Sequence, residues 1–96
     1  MPFNSQVYSF DAYTIRTINE VGAVYGLAQL RLSGYVIVYV GKTDNLRRRL
    51  AEHYDKPPVA GITHFFAEAI GTDAARTQRE YALIQEFQPF GNTLLK

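Results

Sequence analysis

Two sets of polar residues in this sequence are placed where they could act on a ligand. The first lies in Tyr35–Tyr54, YVIVYVGKTDNLRRRLAEHY, where Gly41, Lys42, Arg49 and His53 follow a strand-like run. At about a hundred degrees per residue, Arg49 and His53 fall beside Leu46 and Leu50 on the inner edge of a helix, and Arg47 and Arg48 point roughly away. Gly41 and Lys42 mark the strand's exit, so backbone amides, an ammonium and a guanidinium converge beside Tyr39. Those are the ingredients of a phosphate site. The plain alternative is a solvated basic helix face with an ordinary surface histidine, which suits Arg47 and Arg48 better than Arg49.

The second set centres on Glu80. Leu83, Ile84 and Phe87 follow it by three, four and seven residues, which puts it near the middle of a helix's apolar stripe; Glu86 points the other way. A carboxylate turned toward the packed side is costly without a cation, a metal or donors. Either Glu80 pairs with Arg49 or Arg76 as a structural salt bridge, or it holds a cation.

The elements that must position these groups follow from pattern. Val36, Val38 and Val40 alternate with Tyr35, Ile37 and Tyr39, so the run is a strand apolar on both faces that breaks at Gly41. Asp44 and Asn45 start a helix whose apolar face is Leu46, Leu50 and Tyr54. Val21 to Ala28 forms a preceding strand, and Leu30 to Gly34 is the turn that returns the chain antiparallel. Alternation puts Ala23, Tyr25 and Leu27 on one face, so the hydroxyls of Tyr25 and Tyr39 can reach one rim; the alternative is tyrosines that are simply good strand residues. Pro57 and Pro58 stiffen the loop from Tyr54 to Gly61, and Ile62 to Ala69 is the next strand. Gly71, Thr72 and Asp73 open a last helix to about Phe87, stopped by Pro89. Residues 1–20 read as an N-terminal extension packing on the sheet edge, with Asp11 capping a short helix that carries Ile15 and Ile18.

Composition bounds the reading. Ninety-six residues with nearly half hydrophobic are expected to make one domain, 1–96, with a single core and without an appended recognition module. With no cysteines, neither disulfides nor a thiolate metal site is available. No apolar run approaches the ~20 residues that span a bilayer, and the N-terminus lacks a basic-then-apolar signal, so a cytoplasmic protein without a membrane is expected. The net charge of +1 is small for a protein that clamps nucleic acid. Contact with nucleic acid must then rest on local clustering of Lys42, Arg47, Arg48, Arg49 and Lys56.

Ala23-Val24-Tyr25, then Tyr39-Val40-Gly41-Lys42-Thr43, Asn45-Leu46, Arg49, His53, Glu80, Leu83-Ile84, Pro89 and Asn92 stand in the order and spacing of one known pattern. The sequence resembles the GIY-YIG endonuclease domain family from Gly22 to Asn92. It departs at Ala23, where the first signature has glycine. The resemblance implies an α/β sandwich: a small, mainly antiparallel three-stranded sheet flanked by helices.

The resemblance also implies roles. Tyr25 would be the base, Tyr39 would orient the water, Arg49 would stabilise transition-state charge, and His53 would hold Tyr25 or bind phosphate. Glu80 would be the ligand of a single Mg²⁺ or Mn²⁺ ion that keeps most of its waters. Gly41, Lys42, Arg47, Arg48 and Asn92 would complete the substrate-binding set, with Asn92 also closing a turn. The partner would be DNA, cut with low sequence specificity or by structure, in repair or recombination, with a protein partner or a homodimer supplying specificity. The alternatives are a non-catalytic module of the same fold that binds nucleic acid or protein, and a nuclease subunit active only in a complex.

Overall fold

A computed structural model describes residues 3–94. Its elements are β1 (Tyr8–Ser9), α1 (Ala12–Arg16), β2 (Ala23–Arg31), β3 (Gly34–Thr43), α2 (Leu46–Asp55), β4 (His64–Ala69), α3 (Asp73–Phe87) and α4 (Phe90–Leu94). The sheet has four strands rather than three, in the order β1-β4-β2-β3 with every neighbour antiparallel. The extra strand is β1, which sets Tyr8 against Phe65 and Ser9 against His64. Two residues are too few to display an alternation, so this strand has no sequence signature of its own.

Strand β2 is central, and Ala23 through Ala28 are all buried because both faces are covered. On one face Ala23, Tyr25, Leu27 and Phe65 pack with Ile15 of α1 and with Leu46 and Leu50 of α2. On the other, Val24, Ala28, Ile37 and Val40 pack with Leu83 of α3 and with Phe3, whose ring stacks on Phe66 and Phe87. Arg79 of α3 makes a two-pronged bond to Glu68 of β4, each contact 2.9 Å, which fixes the turn of helix that carries Glu80.

Four local expectations are corrected. Strand β3 does not end at Gly41; it runs to Thr43, with Gly41 opposite Tyr25. The break comes at Asp44, and the Asn45 side chain caps α2 by accepting from the Arg48 amide at 3.1 Å. Strict alternation along β3 also fails, because a bulge pairs Leu27 with Tyr39 but Ala28 with Ile37. Val38 is the extra residue, so Ile37 joins the Val40 core while Tyr39 stays on the Tyr25 side. The turn between β2 and β3 is only Leu32-Ser33, followed by Gly34 at φ +111°, and Leu30 and Arg31 belong to the strand. Finally, Tyr54 is half exposed, its ring edge-on to Phe10, and His53 takes the buried place. Helical geometry explains the exchange: at 100° per residue His53 lies about 20° from Leu46, and Tyr54 about 80°.

Candidate active site

The site is built on the one buried histidine. His53 is 5% exposed, and the Tyr25 hydroxyl lies 2.7 Å from its Nε2. Burial lowers the His53 pKa to about 4, with the Arg49 charge adding and Glu52 opposing, so the ring is neutral at neutral pH. Burial likewise pushes the Tyr25 phenol well above its usual value, with Tyr39 and Glu80 adding and Arg49 opposing. Tyr39 closes the group: its ring centroid is 6.3 Å from that of Tyr25 and 5.3 Å from that of His53, the latter edge-on.

Gly41 has a different function from a turn residue. A Cβ at that position would stand 2.5 Å from the Tyr25 oxygen and 3.1 Å from the Tyr39 ring. The missing side chain is the space in which the Tyr25 phenol lies, directly across the ladder from Gly41. Asn92 holds the same stretch of strand from outside. Its Oδ1 accepts from the Val40 amide at 2.8 Å and its Nδ2 donates to the Val40 carbonyl at 2.7 Å. One side chain thereby substitutes for a neighbouring strand between Tyr39 and Gly41.

The cations are distributed more widely than the sequence implies. Arg49 lines an open cavity with Tyr39, Glu52, His53, Lys56 and Pro58, and its Nη1 donates to Glu52 Oε1 at 2.9 Å. That ion pair raises the guanidinium's pKa further. Lys42 does not converge beside Tyr39. On β3 it faces α3, where its ammonium donates to Asp73 Oδ1 at 3.1 Å and to Thr77 Oγ1 at 2.7 Å. Arg47 bonds the Ile18 carbonyl at 2.6 Å and pairs with Glu20, tying α2 to the end of α1. Arg48 pairs with Asp44, exposed at the start of its own helix. Neither reaches the tyrosines.

Glu80 is half-buried and, among the described residues, makes no hydrogen bond or ion pair. Arg49 and Arg76 are engaged elsewhere, Arg76 with the Ile70 carbonyl at 2.8 Å. Burial raises the Glu80 pKa, with Lys42 opposing and Asp73 adding, and its charge is felt at Tyr25. No cluster of three or more His, Asp or Glu side chains suited to a metal occurs among the described residues. A single carboxylate without an internal donor, open enough to carry a hydrated ion, nevertheless fits one hard divalent cation that retains its waters.

Three comparisons place this geometry. No family model matches the chain. It is 29% identical over 101 aligned residues to the UvrABC system protein C of Dichelobacter nodosus, an alignment covering 97% of this chain and only 16% of that relative's length. The GIY-YIG N-terminal endonuclease domain of UvrC from Thermotoga maritima, bound to its catalytic divalent cation, magnesium, superposes with a TM-score of 0.67 at 20% identity, covering 82% of this chain and 91% of that one. The chain has the GIY-YIG domain fold. A point mutant of the same Thermotoga domain, also bound to its divalent cation, matches equally, with a TM-score of 0.67 over 90% of its length.

Within the GIY-YIG fold, the Ala23 methyl is fully buried among Tyr25, Leu27 and Leu46, and the Tyr25–His53 bond forms beside it. Three residues at the candidate site escaped the sequence reading. Glu52 holds Arg49, and Asp73 and Thr77 hold Lys42. Glu52 was discernible as a carboxylate three residues beyond Arg49 on a helix, a spacing that pairs charges. Asp73 and Thr77 had no such signal, because their contact to Lys42 spans more than thirty residues.

Proposed function

We propose that this chain is an endonuclease that hydrolyses phosphodiester bonds of DNA with the help of one divalent cation, and that it works in the cytoplasm. The observation that carries the reading is the buried Tyr25–His53 hydrogen bond, with a neutral imidazole behind a phenol that feels the Arg49 charge. A phenol this buried is a poor standing phenolate, so Tyr25 works as a relay. It takes a proton from the attacking water as its own passes to His53 Nε2. Arginine can only donate, so its presence by the phenol oxygen favours the orientation in which Tyr25 donates to His53.

Tyr39 orients the water, and Arg49 neutralises charge growing on the phosphorus oxygens. Glu80 is the residue that would hold Mg²⁺ or Mn²⁺; the bound ion supplies Lewis-acid stabilisation of the phosphate and leaving oxygens. Lys42, on β3 and facing α3, supports the charge of Glu80 and helps attract the phosphate, and Gly41 and Asn92 keep Tyr25 and β3 in place. Arg47 and Arg48 contribute at most to the outer field felt by DNA. The UvrC relatives support a role in DNA repair. In this reading the cut has low sequence preference and selectivity comes from DNA structure.

A second reading rests on one observation. Lys42, Arg47, Arg48 and Arg49 are each paired with an internal carboxylate, on Asp73, Glu20, Asp44 and Glu52. Such a surface attracts phosphate weakly. It suits a subunit that cuts only with a partner or a second copy, or a binding module that does not cut. Cleavage of labelled duplex, single-stranded and branched DNA with Mg²⁺ or Mn²⁺ separates the readings. Metal-dependent cutting that Glu80→Ala and Arg49→Ala both abolish supports the nuclease. No cutting by the folded native chain sinks the stand-alone reading.

A further inference from the structure

The carboxylate of Glu52 stands in the mouth of the candidate site, a place where a phosphate-binding protein has no evident use for negative charge. Its Oε1 lies 2.9 Å from Arg49 Nη1, and both side chains are about half exposed, 51% and 41%. They share one cavity with Tyr39, His53, Lys56 and Pro58, and Lys56 makes no ion pair among the described residues. The same helix holds Arg49 and Glu52 three residues apart, so the pair forms without any tertiary rearrangement. Yet an exposed pair of this kind contributes little to stability. Its consequence is at the site: the guanidinium that would receive a phosphate oxygen already has an anionic oxygen at bonding distance.

We propose that Glu52 is an internal stand-in for the substrate phosphate, occupying Arg49 until a phosphodiester displaces it and so setting how tightly the site takes DNA. This deepens the nuclease reading and rests on it. The displaced carboxylate swings to solvent or toward Lys56, the residue just past the end of α2. The exchange costs little when the incoming phosphate is well placed, and it penalises phosphates that reach Arg49 without the rest of the site. Glu52 therefore acts on selectivity and affinity, and takes no part in bond breaking.

Glu52→Gln isolates this effect, because the amide oxygen still accepts from Arg49 while the charge is gone. Anisotropy of a short labelled DNA duplex in EDTA reads binding without cleavage. Glu52→Gln should tighten binding about fivefold at low salt, the strength at contact, in a water-like dielectric, of the Glu52–Arg49 charge pair that an incoming phosphate would no longer have to break. In an Arg49→Ala background the same substitution should give less than half of that gain, since there is no guanidinium left to release. With Mg²⁺ present, the change should appear in KM.

Unchanged or weaker binding by Glu52→Gln, with native-like melting and normal DNA binding by the parent, overturns the proposal and leaves the nuclease reading standing. An equal gain with and without Arg49 also overturns it, because Glu52 would then be only a background surface charge. If no form of the chain binds or cuts DNA, the nuclease reading fails and this proposal fails with it.

Discussion

The Tyr25 hydroxyl and His53 Nε2 are held 2.7 Å apart by two elements that approach from different directions, the central strand β2 and the inner edge of α2. Each is the other's buried polar partner. Tyr25→Phe removes the hydroxyl and leaves the imidazole nitrogen without a bond in a packed interface. The expected stability cost is about 1–3 kcal/mol, the penalty for a buried unsatisfied group, seen as a lower midpoint in urea unfolding. The expected loss of cleavage is about a hundredfold or more. A folded Tyr25→Phe variant that cuts DNA at the parent rate would remove Tyr25 from the reaction.

Gly41 makes room for that hydroxyl, which leads to a paired prediction. Gly41→Ala would place a methyl 2.5 Å from the Tyr25 oxygen, so the phenol must rotate away from His53. The variant should lose cleavage nearly as completely as Tyr25→Phe, with stability lower by roughly 1–3 kcal/mol from overpacking. In the double variant Gly41→Ala with Tyr25→Phe, the two losses should be less than additive, because the closest clashing atom is gone while the Tyr25 ring carbon Cζ, 2.7 Å from the added methyl, remains. Strict additivity in unfolding free energy would mean that Gly41 is needed for something other than Tyr25.

The His53 pKa, lowered by burial to about 4, gives a pH dependence with a definite sign. Between about pH 6.5 and pH 4 the unfolded chain takes up a proton at His53 and the folded chain does not, so stability falls as the solution is acidified. The full effect is up to about 3 kcal/mol, complete near pH 4. His53→Gln should flatten this part of the profile in thermal melts from pH 7 to 4. Cleavage that depends on a neutral imidazole should persist at pH 6, well below the point where an ordinary histidine would be charged. A midpoint of activity near 6.5 would contradict the buried, uncharged ring.

The legible parts of the molecule were those with a period or a cap. The β2–β3 hairpin, α2 from Asn45 and α3 up to Pro89 each announce themselves within ten or fifteen residues, and the Tyr25, Tyr39, Arg49 and Glu80 positions follow from those elements. What pattern could not supply was anything decided between distant segments. Tyr8 and Ser9 become a strand only because β4 is beside them. The bulge at Val38 redistributes Ile37 and Tyr39 between the faces. Lys42 looked like a member of the tyrosine cluster because it follows Gly41, but continuing the strand to Thr43 turns it toward Asp73 and Thr77. Asn92 similarly gained its meaning only from Val40, 52 residues earlier.

Glu80 provides the sharpest separation between a residue kept for stability and one kept for chemistry. Its carboxyl is raised by burial and, among the described residues, has no donor in compensation, so in the folded chain the ionised form is disfavoured relative to the unfolded one. The sign follows: ionisation of Glu80 lowers stability above its raised folded-state pKa, and that penalty is relieved as pH falls through that pKa and is gone below 4.5, the unfolded value. Glu80→Gln removes the charge and keeps the shape, so it should leave the melting temperature unchanged or raise it by a few degrees. A salt-bridged glutamate would do the opposite. Millimolar Mg²⁺ should raise the melting temperature of the parent, since binding to the folded state alone stabilises it, and should have no such effect on Glu80→Gln. DNA cleavage should disappear in the variant, and in the parent once EDTA removes the ion. A variant that melts higher, ignores Mg²⁺ and no longer cuts would show a carboxylate that the fold tolerates because the cation site needs it. If Glu80→Gln melted markedly lower than the parent, Glu80 would have to be a structural residue with a partner formed in solution, and the metal would need another ligand.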